Sequence, residues 1–405
     1  MIGTLDTRKK EVTIIGAGVS GLVAAYFLDQ KSYEVTLIEA LPQAGGMVRT
    51  VRTPYGISES AAHSIPGTTP VIELCDDLKV PLVSCLRDSR ARYVWRKGMP
   101  KQIPLSLLEV TSTLWRLATT KKSEEPPSSL AEWGKRHMGQ KALDYLLNPM
   151  VRGIYGCRPE DLLPKKPAAS ARGVKIVTPE KGMGALTSAL ESHLHQRLGV
   201  RFRRGEPIES LPKVQGNLIL CTPPDISARL LSSSSSILAG KLSKVPFSPL
   251  ISVTAFLPKQ NVGFKSKGLG VLMPEVENRK CLGILFNSRS FVGRVTDPDR
   301  YESFTLMLGG TSDPGTLDLS QTELDNRVTS ELQIVLGLQG DPAHLEYHRW
   351  RHAIPIYGRA LQEASETAKE TWCKSPGQIL FGNFSGEVSI RGMIETFQKT
   401  KGYSP

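Results

Sequence analysis

Val12-Thr13-Ile14-Ile15-Gly16-Ala17-Gly18-Val19-Ser20-Gly21-Leu22 decides the fold of this 405-residue chain. Val12 to Ile15 predicts a buried strand, and Leu22 to Leu28 a helix whose small residues face the sheet. Between them Gly16 permits a tight turn, Gly18 lets backbone approach a pyrophosphate, and Gly21 allows close helix–strand packing. The helix N-terminus offers unpaired N–H groups and the positive end of its dipole to phosphates. A second strand, Val35 to Ile38, ends at Glu39, eighteen residues beyond Gly21. A carboxylate there accepts hydrogen bonds from ribose hydroxyls and repels a 2′-phosphate.

Gly45-Gly46 and Arg49-Thr50 follow within eleven residues of Glu39, a second glycine turn able to run along the same pyrophosphate. This double motif resembles that of the flavin amine oxidase superfamily, and the resemblance implies FAD rather than NAD. The segment Tyr55 to Ser64, rich in small residues, is suited to passing close to a flat ring.

Composition agrees with a multidomain globular protein. The chain is 40% hydrophobic and 22% charged, and is long enough for two or three domains. Lys and Arg number 51 against 39 Asp and Glu, a net charge of +12 that favours anionic contacts: phospholipid headgroups, nucleic acid or a carboxylate-bearing substrate. No stretch reaches the ~18 apolar residues of a transmembrane helix, and the N-terminus has neither a signal-peptide nor a transit-peptide pattern. Six scattered cysteines without a CxxC pair point to a reducing compartment and away from disulfides, zinc and iron–sulfur clusters.

The expected architecture is α/β: a parallel-sheet FAD domain interrupted in sequence (residues 1–86, 181–248 and 359–405), a mixed-sheet substrate domain (249–358), and a helical membrane-binding and substrate region (87–180). Within the last, residues 103–117 form an apolar stretch among Lys97, Lys101, Arg116, Lys121 and Lys122. It reads equally as a surface that docks on an anionic membrane or as a core-facing helix with a basic rim. Residues 121–129 read as an exposed loop. Gly182-Met183-Gly184 opens a helix to about Leu198; Val200 to Arg203 and Leu218 to Cys221 are strands. Four more strand-like runs begin at Val253, Gly270, Leu282 and Phe304, and Ile379 to Asn383 leads into a helix from Ile390 to Lys399.

Several internal segments narrow the resemblance to the oxygen-dependent protoporphyrinogen oxidase family. They are Arg92-Tyr93-Val94-Trp95 with Gly98, Gly153-Ile154-Tyr155 with Pro159, Leu282-Gly283-Ile284 with Asn287-Ser288, Met307-Leu308-Gly309-Gly310, Ile354-Pro355 with Tyr357, and Gly382 to Glu395. The resemblance implies an FAD site using Gly16, Gly18, Ser20, Gly21, Glu39, Met47, Arg49, Ala61, Ser64, Ile208, Asn383 and Val388-Ser389-Ile390. It also implies a substrate site in which Arg92 pairs with a propionate while Leu282 and Met307 line the macrocycle pocket. The implied reaction removes six electrons from protoporphyrinogen IX, consuming three O2 and releasing three H2O2, with no catalytic side chain acting as a base. Coproporphyrinogen III, or the substrate of another flavin oxidase or desaturase, is the alternative, and a non-catalytic FAD-binding protein is a third reading. Expected partners are the porphyrinogen, O2 and an anionic membrane surface but no nucleic acid, with a homodimer and product hand-over to a downstream chelatase also considered. The expected location is the inner face of the cell membrane, or the mitochondrial inner membrane in a eukaryote.

Three departures stand beside the family pattern. Ala61-Ala62 replaces Gly-Pro near the flavin, Glu387 stands where a glycine is usual because Gly386 comes one residue early, and Cys157 replaces a glycine, where a Cβ is expected to narrow the pocket. His344, His348 and His352 recur every four residues, but their context reads as a strand, on which successive positions lie ~13 Å apart, too far for one metal ion. His193 and His195 are two apart in a helical stretch and do not converge. No metal site is expected.

Overall fold

In the computed structural model, which describes residues 1–120, 127–164, 173–385 and 388–399, Glu11–Ile15 is the central strand of a five-stranded parallel sheet. The order is Val200–Arg204, Glu34–Glu39, Glu11–Ile15, Asn217–Leu220, Gln378–Leu380. Each inner strand is a short apolar run because both faces are covered, as parallel sheets require. Helices Val19–Asp29, Gly184–His195 and Ile390–Lys399 share the core on one face. Pro224–Leu231, Ser236–Leu242 and Arg359–Glu370 contribute to that on the other. Three stretches remote in sequence therefore close one sheet.

The second half is a seven-stranded mixed sheet ordered His344–Pro355, Phe247–Pro258, Tyr301–Gly309, Gly283–Leu285, Gly270–Leu272, Arg92–Arg96, Met99–Lys101. The last two strands come from residues 87–180, expected as a helical membrane-binding and substrate region, and join the substrate sheet. Arg92–Arg96 alternates exposed and buried positions, and its Tyr93 and Trp95 enter the sheet's apolar core, so it pairs parallel to Gly270–Leu272. The helices proper are Leu107–Thr119, Leu130–Met138 and Asn148–Tyr155, with a π-turn at Leu143–Leu147. Ile176–Pro179 then pairs with Ile65–Pro66 and Leu82–Ser84. Residues 121–126, most of the expected loop, lie outside the described residues.

The two faces of the mixed sheet differ. Tyr93, Val271, Ile284, Leu306 and Val253 pack against Leu324, Val328 and Leu332 of helix Gln321–Leu336. The cross-strand rows between them turn the other way. One runs Arg92, Gly270, Leu285, Thr305, Thr254; the next runs Val94, Leu272, Gly283, Met307, Ser252. Ser58, on the strand Gly56–Glu59, donates to Thr254 Oγ1 (2.8 Å), so this second face lies against the cofactor half of the molecule.

A Cβ on Gly21 would stand 1.9 Å from the Gly16 carbonyl oxygen, a backbone atom with nowhere to move. Gly21→Ala is therefore expected to cost about 1–3 kcal/mol, as overpacking does. Thermal melting will show this as a lowered midpoint.

Candidate functional site

The glycine turns meet back to back. Gly16, at φ +95°, donates to Ile38 O, and Gly45 N–H donates to Ala17 O (2.8 Å). A Cβ on Gly18 would find only Gly46 Cα, 4.0 Å away, leaving this edge of the turn open to a ligand. Gly18 caps helix Val19–Asp29 without any side-chain hydrogen bond, so no side chain of the cap satisfies the first-turn N–H groups. Glu39 stands beside them, accepting from Ala17 N–H (2.7 Å) and Leu41 N–H (2.9 Å). Those bonds fix the carboxylate at the strand end while leaving lone pairs for ribose hydroxyls.

Arg49 Nε donates to Gly46 O (2.9 Å), holding the guanidinium at the second turn, where its remaining N–H groups suit a phosphate. Met47 is set by its carbonyl, which accepts from Ser60 Oγ; the same hydroxyl accepts from Arg49 N–H (3.0 Å). Ser20 is buried in the first turn, and Ile208 is half-buried just past the Glu206 N–H to Glu39 O bond, near the carboxylate. Ala61 and Ser64 lie half-buried on the segment that follows Gly56–Glu59, and Trp350 Nε1 donates to Ser60 O (2.7 Å) across the domain boundary. Asn383 O accepts from the Tyr357 hydroxyl. Val388 packs against the core on the second face of the parallel sheet, Ser389 Oγ caps the last helix by accepting from Gly392 N–H (3.1 Å), and Ile390 is buried. Gly386 and Glu387, the third departure, lie outside the described residues. The cradle of glycines, helix end, carboxylate and arginine fits the two phosphates and ribose of FAD.

Of the three residues read as substrate contacts, two touch. Leu282 N–H donates to Met307 O (2.7 Å), and both side chains pack with Leu250, Trp350 and Ile354. Arg92 lies on the same sheet face, three strands from the Met307 strand, about 14 Å at ordinary strand spacing. It is exposed and has no hydrogen-bond or ion-pair partner among the described residues. Leu272, Leu285 and Asn287 were missed. Leu272 and Leu285 occupy the same face, and their alternation was legible, but pairing strands ninety to two hundred residues apart was not.

Cys157 is a correction. Its side chain is buried in the core cluster with Leu143, Leu162 and Tyr357, and burial pushes its thiol up to about 12. The carbonyl of the preceding Gly156 accepts from Ser248 Oγ (2.7 Å). The thiol fills core space and does not narrow the site. The three periodic histidines do lie on one strand but serve different neighbours: His344 stacks on Tyr55, His348 Nε2 bonds Ser58 Oγ (3.0 Å), and His352 pairs with Asp225 (2.9 Å). Among the described residues no group of three His, Cys, Asp or Glu is placed to hold a metal.

The flavin containing amine oxidoreductase pattern matches residues 19–381. Protoporphyrinogen oxidase 2, chloroplastic/mitochondrial, of Arabidopsis thaliana is 27% identical over 463 residues, covering 94% of this chain and 91% of its own. Coproporphyrinogen III oxidase of Bacillus subtilis is 22% identical over 458 residues, covering 96% and 97%. The structure of a candidate protoporphyrinogen oxidase of Exiguobacterium sp. 255-15 superposes with TM-score 0.76 at 17% identity, covering 98% of each chain.

Glu39→Ala removes the acceptor aimed at the ribose and should weaken FAD retention by about ten- to hundredfold, the range for hydrogen bonds to a charged group. Bound flavin, measured by absorbance after gel filtration, checks it; full occupancy contradicts the ribose contact.

Proposed function

Since this chain belongs to the flavin containing amine oxidoreductase family and is an FAD-dependent oxidoreductase, we propose that it oxidises protoporphyrinogen IX to protoporphyrin IX with O2. The observation carrying this reading is the unpaired Arg92 at the rim of the sheet face that bears Leu272, Leu285 and Met307, beside the mutually paired Thr254 and Thr305, and that lies toward the cofactor half. A broad, largely apolar macrocycle with carboxylates at its edge complements such a surface. The similarity to relatives named for porphyrinogen oxidation supports the same choice.

Residues Gly16, Gly18, Ser20, Gly21, Glu39, Met47, Arg49, Ala61, Ser64, Ile208, Asn383 and Val388 to Ile390 would hold FAD. The bound cofactor supplies a hydride acceptor and returns the electrons to O2. The protein's part is placement. Arg92 clamps a propionate in bidentate fashion. The apolar face excludes water and presses the macrocycle toward the flavin. Aromatisation drives the reaction, so no side chain is required to act as a base.

A second part of the proposal concerns delivery. No helix among the described residues is long and apolar enough to cross a membrane. Helix Leu107–Thr119, however, leaves Leu107 85%, Leu108 83% and Trp115 66% exposed, with Leu114 and Ile103 beside them in sequence. Positions 107, 108, 111, 114, 115 and 118 form one stripe at helical spacing. Lys97, Lys101 and Arg116 are exposed nearby in sequence, whereas Lys121 and Lys122 lie outside the described residues. We assign this stripe to an anionic membrane surface, from which an apolar substrate is drawn; the outward-facing side chains argue against the core-facing alternative.

Arg92→Ala should raise the porphyrinogen KM by about ten- to hundredfold with unchanged FAD content. Comparison of protoporphyrinogen IX with coproporphyrinogen III and a primary amine, by anaerobic flavin bleaching, tests the substrate. Binding to anionic liposomes should fall as salt rises, and fall further when Leu107, Leu108 and Trp115 become polar without a change in melting temperature. Folded protein that ignores such liposomes at low salt contradicts the membrane assignment alone.

A further inference from the structure

A line of hydrogen bonds crosses the cofactor-facing side of the mixed sheet. His348 Nε2 bonds Ser58 Oγ at 3.0 Å, Ser58 donates to Thr254 Oγ1 at 2.8 Å, and Thr254 meets Thr305 Oγ1 at 3.1 Å. Asn287 Nδ2 donates to the same Thr305 hydroxyl at 2.8 Å. Ser58, Thr254 and Thr305 are completely buried. Five polar side chains among apolar ones are costly unless each is paired, and their combined effect is to fix the last of them. That last group is the Asn287 amide. Its Nδ2 is committed to Thr305, and its Oδ1 has no partner among the described residues.

Asn287 lines a recess together with Ile57, His63, Ser64, Leu285 and Phe286, so the segment beside the proposed flavin position and the proposed substrate face share its walls. The recess holds about 50 Å³. It does not admit a macrocycle, and it has room for a water or for one hydrogen-bonding group directed into it by a molecule lying outside on the sheet face. Its charge is balanced. Burial draws the His63 imidazole down to about 4, with His348 and Arg294 adding to the effect, so it is neutral. Glu59 and Arg294, the charged pair on its wall, face each other at 3.5 Å. A neutral donor suits this recess; a carboxylate does not.

Resting on the porphyrinogen reading above, we propose that Asn287 is a substrate-orienting residue whose Oδ1 accepts a pyrrole N–H, held in register by the Thr305–Thr254–Ser58–His348 chain. Arg92 would then fix the macrocycle by its rim and Asn287 by its nitrogen core. Two contacts of unlike chemistry define which edge faces the flavin, which one clamp on a propionate does not.

The test uses FAD-loaded protein and reads the protoporphyrinogen IX concentration that gives half the maximal rate of anaerobic flavin bleaching. Asn287→Leu should raise that concentration about three- to tenfold, the range for one neutral hydrogen bond, with unchanged FAD content. Asn287→Gln, which keeps both the amide donor and the acceptor without adding charge, should lose less than the leucine variant. Thr305→Val, nearly isosteric, should show a smaller loss in the same direction and carries the test if the leucine variant loses FAD. Bleaching that is unaltered in both Asn287→Leu and Thr305→Val, in a wild type that reacts, overturns this proposal and leaves the substrate reading standing. A wild type that is bleached by neither porphyrinogen overturns the substrate reading and this proposal together.

Discussion

The buried Glu59 carboxylate is the constraint on which both halves of the molecule depend. It accepts from Thr50 Oγ1 (2.7 Å) on the adjacent strand and from Met183 N–H (2.9 Å) at the entry to helix Gly184–His195. It also faces Arg294, whose guanidinium donates to the carbonyls of Pro179 and Glu180. Burial raises the Glu59 pKa and lowers that of Arg294, each partly countered by the other charge. Desolvating two ions is costly, and such a pair contributes geometry more surely than stability. Here it joins the hairpin after the second glycine turn, the return of the chain into the cofactor domain, and the loop below the mixed sheet. Through it the segment Gly56 to Ser64 is held at a fixed distance from the sheet.

That spacing explains why the mixed sheet has two unlike faces. The side toward helix Gln321–Leu336 is apolar and closed, and contributes cohesion. The side toward the cofactor half carries Thr254, Thr305 and Ser252 among Leu272, Leu285 and Met307. A sheet selected only for stability would have apolar residues on both sides. The Thr254 and Thr305 hydroxyls, paired to each other, instead give a face that is dry but directional, the combination needed to orient a largely apolar molecule.

Much of the cofactor half was legible from residues 12–50, because a glycine turn's requirements are local. Gly16 needs a positive φ, Gly21 needs no Cβ, and Glu39 needs only to end its strand. The mixed sheet was legible as separate strands but not as a surface. Arg92, Leu285 and Thr305 become neighbours only once three distant strands are in register. The strands Arg92–Arg96 and Met99–Lys101 were hidden by their basic residues, which resemble the rim of a helix. Cys157 misled for a related reason: comparison with a glycine says that a Cβ is added, not which way it points. For residues 103–117, periodicity identified the apolar stripe but left its direction undetermined.

The direction of that stripe follows from how its helix is anchored. Helix Leu107–Thr119 begins with a reciprocal capping box between Ser106 and Glu109. Glu109 is also gripped by both terminal nitrogens of Arg96 at 2.8 Å, which together with the cap holds its carboxyl down at about 2. Arg96 lies in turn over the Tyr145 ring, 4.2 Å from its centre. Polar contacts thus seat the helix end on the mixed sheet without spending the apolar stripe on packing. Arg96 belongs to the same strand as Arg92, four residues away, and Val94 between them packs under Leu105 and Tyr145. One short strand therefore presents the unpaired arginine at its beginning and, at its end, anchors the helix that carries the exposed leucines. The surface proposed to meet the membrane and the cation proposed to meet the substrate are fixed to each other by five residues of backbone.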